Sequence, residues 1–217
     1  MPYSIILPIH NEVKHIPELL SRLEVYSPQD EILVVDDGSA DGSLELLKDC
    51  SFITLIILDQ NSGKGAAIRK GIAHAKYNKI ILTDGDLELE PAELKRLMIL
   101  DNEKTTCVFG TRYSKIGPFH SLMNLGNFFF TGLFNLIQKN NLTDALCCAK
   151  AFYKSQIDTE LLKSIGFDID VELAAILVNK NEHVKEIPLS YSRRDRSEGK
   201  KLRLIDGWSI LKRIVRS

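Results

Sequence analysis

The chain is short of the features that mark many enzyme and binding classes. Its only cysteines, Cys50, Cys107, Cys147 and Cys148, form no C-x-x-C pair and no Cys/His zinc spacing. Cys147 and Cys148 are adjacent and suit a disulfide poorly, so reduced thiols in a cytosolic compartment are expected. None of the five histidines stands at H-E-x-x-H or other metal-pair spacing, and neither a G-x-S-x-G elbow nor a Walker A loop occurs. The opening MPYSIILPIHNE lacks the basic start and long apolar run of a signal peptide. The most apolar later stretch, 125–137, contains Asn127, Thr131 and Asn135 and is too short to span a bilayer. A formal net charge of -1 excludes a globally basic nucleic-acid binder. With no repeat and no low-complexity linker, a single soluble or peripheral domain is the expectation.

What is present is an ordinary globular composition, 44% hydrophobic and 26% charged over 217 residues, enough for a sizeable core. The first 90 residues alternate strand and helix signals. Strands are expected at 4–7, 31–35, 53–58 and 80–82. Helical spacing runs through Ile16, Leu19, Leu20 and Leu23, then from Ser43, then from the Asn61–Gly65 turn to Ala75. Such alternation with short turns predicts a parallel sheet covered by helices. Beyond it, a helix is expected over 91–100, strands over 106–109 and 184–191, and a helix opening near Asp168. The segment 118–137 is rich in Phe and reads either as core or as an amphipathic interfacial helix. The tail from Arg193 onward is basic, either a solvated face or a mobile phosphate-gripping loop.

The chemistry gathers in KIILTDGDLELEP, 79–91. An apolar strand runs into Asp84, Gly85, Asp86, Glu88 and Glu90, and a lone aspartate there would be mere turn chemistry. Asp84 and Asp86 flanking a glycine, with Glu88 next in alternation, point instead to a hard cation, Mg²⁺ or Mn²⁺. An EF-hand does not fit, because its sixth position would be Leu89 and its twelfth Lys95. A cation held by two or three carboxylates keeps positions open for diphosphate oxygens. Asp36-Asp37-Gly38-Ser39 ends another strand and reads as a turn or as a contact to a nucleobase N–H. Gly63-Lys64-Gly65 reads as a phosphate cradle at a helix N-terminus or as tight helix packing, and it lacks the third small residue of a dinucleotide fingerprint. His10 and His120 lie in candidate loops, whereas His15, His74 and His183 read as surface residues.

These pieces resemble the family 2 inverting glycosyltransferases of GT-A fold, in the branch of dolichol-phosphate mannose synthase and bacterial polyprenyl-phosphate glycosyltransferases. The matching pieces are Pro8–Glu12, Val34–Ser43, Asn61–Gly65, Thr83–Leu87, Gly110–Tyr113, Thr143-Asp144, Gly166–Asp168, Glu186–Tyr191 and Glu198–Lys201. The resemblance implies a Rossmann-like, mostly parallel α/β sheet flanked by helices in a single domain. Residues 1–112 would then bind the nucleotide sugar and 113–217 the acceptor. It implies that Pro8, His10, Asn11, Glu12, Asp36, Asp37 and Gly38 line the nucleotide pocket with Lys64 near it. By the same likeness, Asp84, Gly85 and Asp86 form the DxD element and Glu88 stands where a third metal ligand occurs. Arg112 falls at the acceptor-phosphate grip, Arg194 and Lys200 in a loop closing over the donor diphosphate, and Asp168, Asp170 and Glu172 at an acidic helix start on the acceptor side. Members acting on lipid phosphates commonly carry a second arginine soon after the G-x-R-Y-like motif. Here no arginine occurs between Arg112 and Arg193, and His120 stands in that stretch.

The expected function is metal-dependent transfer of a hexose from a GDP- or UDP-linked sugar to a polyprenyl or dolichyl phosphate. The protein would sit peripherally at the cytoplasmic face of a membrane, with no nucleic-acid partner. A phosphate monoester, with a second pKa of about 6, is already ionised at neutral pH and needs cationic grips rather than a base. Two alternatives stay open. Transfer to a saccharide hydroxyl would need a base, for which Asp168 and Asp170 are candidates. A non-catalytic nucleotide-sugar-binding subunit would bind the donor without turnover.

Overall fold

Period-two alternation in β1 (Tyr3–Ile9) assigns its side chains to two separate cores. Ile5, Leu7 and Ile9 pack with Ile16, Leu19 and Leu23 of α1 (Ile16–Leu23), whereas Ile6 packs on the other face with Ile68 and Ile72 of α3 (Lys64–His74). Each fully buried aliphatic of this kind contributes about 1.5–3 kcal/mol relative to exposure. The computed structural model describes residues 1–101, 103–112, 122–181, 184–194, 201 and 206–217. His120 and Lys200, both expected at the site, lie outside these.

Around β1 stand β2 (Glu31–Asp37), β3 (Thr54–Leu58) and β4 (Lys79–Leu82), all parallel, with α2 (Ser43–Lys48) between β2 and β3 in the chain. The second half adds β5 (Cys107–Thr111), α4 (Leu122–Gln138), β6 (Lys150–Tyr153), α5 (Ile169–Lys180), β7 (Val184–Pro188) and α6 (Asp206–Arg216). The seven strands are ordered β3-β2-β1-β4-β6-β5-β7, and β6 is antiparallel to both neighbours. The mostly parallel α/β sheet with helices on both faces is the expected fold. Strand β6 was not expected: four residues with a fully buried lysine in them carry little strand signal.

Two boundaries differ from expectation. Residues 91–97 form a 3-10 helix, opened by Pro91 and by Glu90, whose carboxylate accepts the Ala92 N–H at 3.4 Å. Strand β7 stops at Pro188, and Tyr191 then makes an antiparallel bridge to Leu89, so the basic segment lies along the acidic loop. Helix α4 is buried on one side of its Phe-rich stretch and exposed on the other. Phe134 is fully buried against α5 and α6, while Leu125, Phe129 and Leu136 share an exposed face. Among the described residues, no helix is long and apolar enough to cross a membrane. All four cysteines are free.

Candidate active site

A cavity of about 750 Å³ opens beyond the C-terminal ends of β1, β2 and β4, where ligands of open α/β sheets bind. Its floor is the turn after β4. A Cβ on Gly85 would stand 2.0 Å from Cδ1 of Ile9, so the turn lies close on β1 and a larger residue would have to displace that side chain. Leu87 takes a left-handed φ of 58° and folds the chain back, and the Glu88 N–H donates to Oδ1 of Asp86 at 3.0 Å. Asp84, Asp86 and Glu88 thereby all face the cavity.

Lys64 enters from the opposite wall. Gly63 has φ +93°, and a Cβ there would lie 2.3 Å from the carbonyl oxygen of Ile165. The carboxylate of Asp37 accepts the Ser62 and Gly63 N–H groups at 2.7 and 2.9 Å, and the Gly65 N–H donates to Ile165 O at 2.8 Å. These N–H groups are occupied within the protein, so the glycines serve close packing on the 164–166 backbone. The result places Lys64 Nζ 2.8 Å from Asp84 Oδ1 and 2.8 Å from Asp170 Oδ2, over the ring of Phe167. Burial alone would lower the ammonium pKa, but the charges of Asp170 and Asp84 outweigh it and raise it well above its ordinary value.

At the cavity mouth, Arg194 gathers the remaining carboxylates. Its guanidinium donates to Glu12 at 2.8 Å and to Asp86 Oδ2 at 3.0 Å, and its backbone N–H to Glu88 Oε1 at 3.1 Å. Lys201 also donates to Glu12. Burial pushes the Glu12 carboxyl up, yet the hydrogen bonds from Arg194 and Lys201 prevail and hold it below its ordinary value. A carboxyl lowered by folding stabilises the fold above its unfolded pKa, near 4.5, and this contribution is lost as pH falls through the lower folded value. Thermal melts of wild type and Glu12→Gln from pH 7 to pH 3 are therefore expected to converge as the pH falls. A gap that stays constant or widens in acid contradicts the assignment.

His10 ties the strand ends together. Its Nδ1 lies 2.8 Å from the Asp37 carbonyl, which can only accept, so the proton sits on Nδ1. Nε2 then accepts from Asn61 at 2.8 Å and from Asn11 at 3.2 Å. Across the cavity, Asp144 is fully buried and accepts Nε and Nη2 of Arg112 at 2.7 and 2.8 Å. Tyr191 donates its hydroxyl to Glu88 at 3.0 Å.

Of the residues expected from sequence, Pro8, His10, Asn11, Glu12, Asp37, Lys64, Asp84, Gly85, Asp86, Glu88, Arg112, Asp170 and Arg194 line this one cavity. Asp36, Gly38 and Asp168 do not. Asp36 is fully buried, with Oδ2 accepting the Ser39 N–H and Oδ1 without a partner among the described residues. Gly38 abuts the backbone of Gln60 and Asn61. Asp168 turns away to Ser164 Oγ at 2.7 Å and Arg213 Nε at 3.2 Å, and Glu172 likewise meets Arg213 and the 163–164 backbone. Tyr191, Arg193 and Lys201 also line the cavity. Each lay inside a motif or the basic tail without being singled out, and Tyr191 and Arg193 come to the site through the pairing of Tyr191 with Leu89.

The carboxylates at the floor supply only hard oxygen donors, a set suited to Mg²⁺ or Mn²⁺. Among the described residues no three acidic, His or Cys side chains stand together as a ready-made metal cage. Asp84 is held by Lys64, and Asp86 and Glu88 by Arg194. The donors fit the ion, and the protein's own cations hold the oxygens it would use.

An open α/β sheet bearing a D-G-D turn at the end of its fourth strand defines the class of protein. The model for glycosyl transferase family 2 matches residues 4–161, and the chain belongs to that family. It is 32% identical over 213 residues to an undecaprenyl-phosphate 4-deoxy-4-formamido-L-arabinose transferase of Pseudomonas fluorescens, covering 91% of this chain and 59% of that protein. The namesake from Salmonella choleraesuis is 30% identical, with 91% and 62% covered. The chain thus spans about three-fifths of these relatives' length. In fold it is similar to glucosyl-3-phosphoglycerate synthase of Mycobacterium tuberculosis in complex with UDP, with TM-score 0.76 at 17% identity over 99% of this chain and 79% of that one. A complex of that synthase with Mn²⁺, UDP and glucosyl-3-phosphoglycerate gives TM-score 0.75 at 15% identity and the same coverage.

Proposed function

We propose that the chain transfers a hexose, with inversion, from a nucleotide-diphosphate sugar to a polyprenyl phosphate. The observation that carries this reading is the division of one cavity. Carboxylates matched by Lys64, Arg194 and Lys201 occupy the end at β1 and β4, and Arg112, fixed by Asp144, stands at the end near α4. Residues before Arg112 supply the donor end, on which Arg194 and Lys201 fold back, and Arg112 with Asp144 and α4 supplies the acceptor end. The names of the undecaprenyl-phosphate relatives support the acceptor class, and the UDP and Mn²⁺ complexes of the structural neighbours favour UDP over GDP.

Asp84, Asp86 and Glu88 would hold the divalent cation, which supplies charge neutralisation for the departing diphosphate. Lys64 and Arg194 stand beside the same oxygens and add fixed positive charge to that leaving group. The acceptor phosphate arrives ionised, so no side chain has to remove a proton.

An acceptor on a lipid requires a surface that meets the membrane. Leu125, Phe129 and Leu136 of α4 and Trp208 and Val215 of α6 are exposed, and the two helices pack together. Met123 and Asn127 of α4 and Ile210 of α6 also line the cavity. The same pair of helices therefore runs from the acceptor end to an apolar exterior, which supports a peripheral position at a membrane surface.

Transfer is tested with UDP- and GDP-sugars, Mn²⁺ and a prenyl phosphate. Product with one donor is expected, and no product with any donor overturns the reading. A second reading, transfer to a saccharide hydroxyl, draws on Asp170, whose Oδ1 is buried at the cavity without a partner among the described residues. Asp170→Asn separates the two. A base would make its loss cost roughly 10²–10⁴-fold with a sugar acceptor. With a phosphate acceptor, transfer is expected to survive within about tenfold, because no proton has to move.

A further inference from the structure

Tyr191 carries two guanidinium groups. Cζ of Arg112 lies 5.6 Å and Cζ of Arg193 lies 5.8 Å from its ring centroid, both within cation–π range. Arg193 Nε donates to the Tyr191 hydroxyl at 3.2 Å, and its Nη2 donates to the buried Asn124 of α4. The ring is itself held by the Leu89 bridge and by the bond from its hydroxyl to Glu88. Both arginines line the cavity at the end formed with Met123 and Asn127.

The charges there do not balance a phosphate with Arg112 alone. Asp144 meets Arg112 through two guanidinium hydrogen bonds and neutralises much of its charge, while a phosphate monoester brings close to two negative charges at pH 7. Arg193 is the next arginine in the chain and stands on the same ring. We infer that Arg193 is a binding residue for the acceptor phosphate, which it and Arg112 grip together beside Tyr191. The inference rests on the phosphate-acceptor reading above. An arginine suits the task because its planar fork can stack on the ring and still present N–H groups to phosphate oxygens, which a lysine cannot do.

The probe is farnesyl phosphate, whose short chain separates phosphate recognition from membrane binding. In Arg193→Ala its KM is expected to rise roughly ten- to a hundredfold, the loss of one charge-assisted grip. UDP affinity by calorimetry should stay within twofold, and Arg193→Lys should recover part of the loss. Acceptor affinity in the wild type should also strengthen as pH rises through about 6, where the phosphate gains its second charge, and that dependence should flatten in Arg193→Ala. An unchanged farnesyl phosphate KM overturns the assignment, as does a UDP affinity that falls in parallel. A wild type that binds no farnesyl phosphate in calorimetry, with or without UDP, overturns the phosphate-acceptor reading itself, and the two failures are distinguished by the wild-type measurement alone.

Discussion

Replacing Asp86 with alanine is expected to lower kcat/KM for transfer by roughly a thousandfold, about 4 kcal/mol of transition-state stabilisation. Asp86 is the carboxylate proposed to meet both the cation and the Arg194 guanidinium: Oδ2 accepts from Arg194 at 3.0 Å and Oδ1 holds the Glu88 N–H at 3.0 Å. Its loss would remove one of the proposed metal donors and release both Arg194 and the Glu88 backbone from their positions. Mn²⁺ binding, followed by calorimetry or by the spin resonance of the free ion, should weaken with the rate. The fold should persist, because the side chain sits in the cavity rather than in either core. Glu90→Ala is the matched control. Glu90 lies in the same acidic run but belongs elsewhere, paired with Arg22 and capping the 3-10 helix. Its removal should leave transfer unchanged. Equal activity of Asp86→Ala and wild type would remove the acidic turn from the chemistry.

The contrast between Asp86 and Glu90 shows how far the sequence could be read. Short continuous apolar runs that end in acidic or glycine-rich turns are local signals, and they placed β1, β2, β3 and β4 and the D-G-D turn with few errors. The parts that depended on partners far along the chain were not legible in that way. Strand β6 is inserted antiparallel between β4 and β5, a placement set by pairing rather than by its own four residues. Asp168 and Asp170 looked equivalent at a helix start, yet a helix turns 100° per residue. That rotation sends Asp170 to Lys64 in the cavity and Asp168 to Arg213 behind it. Tyr191 and Arg193 reach the site only because the chain after β7 folds back along Leu89, and no spacing within their own segment announces that.

The second large effect is expected at Lys64, where stability and chemistry pull on one side chain. Lys64→Met leaves Asp84 and Asp170 facing the same space without the cation that both hold at 2.8 Å. Removing one partner of such a buried set costs about 3 kcal/mol, which for a domain of this size is a fall in Tm of roughly 6–12 °C. Because folding raises the ammonium pKa, its stabilising contribution is complete below the unfolded value of about 10.4. It disappears only as pH rises through the higher folded value, so the deficit of Lys64→Met should be undiminished at neutral pH. Adding Asp170→Asn to Lys64→Met removes one of the stranded charges, and the double variant should regain much of the lost Tm, a coupling that distant sites do not show. Transfer separates the two roles. If Lys64 only holds the carboxylates apart, activity returns with Tm in the double variant. If it also stabilises the departing diphosphate, activity stays roughly 10²-fold down while the fold recovers, and that is the expected result. Additive losses of Tm in the double variant would show that the Lys64–Asp170 contact does not couple the two walls of the cavity.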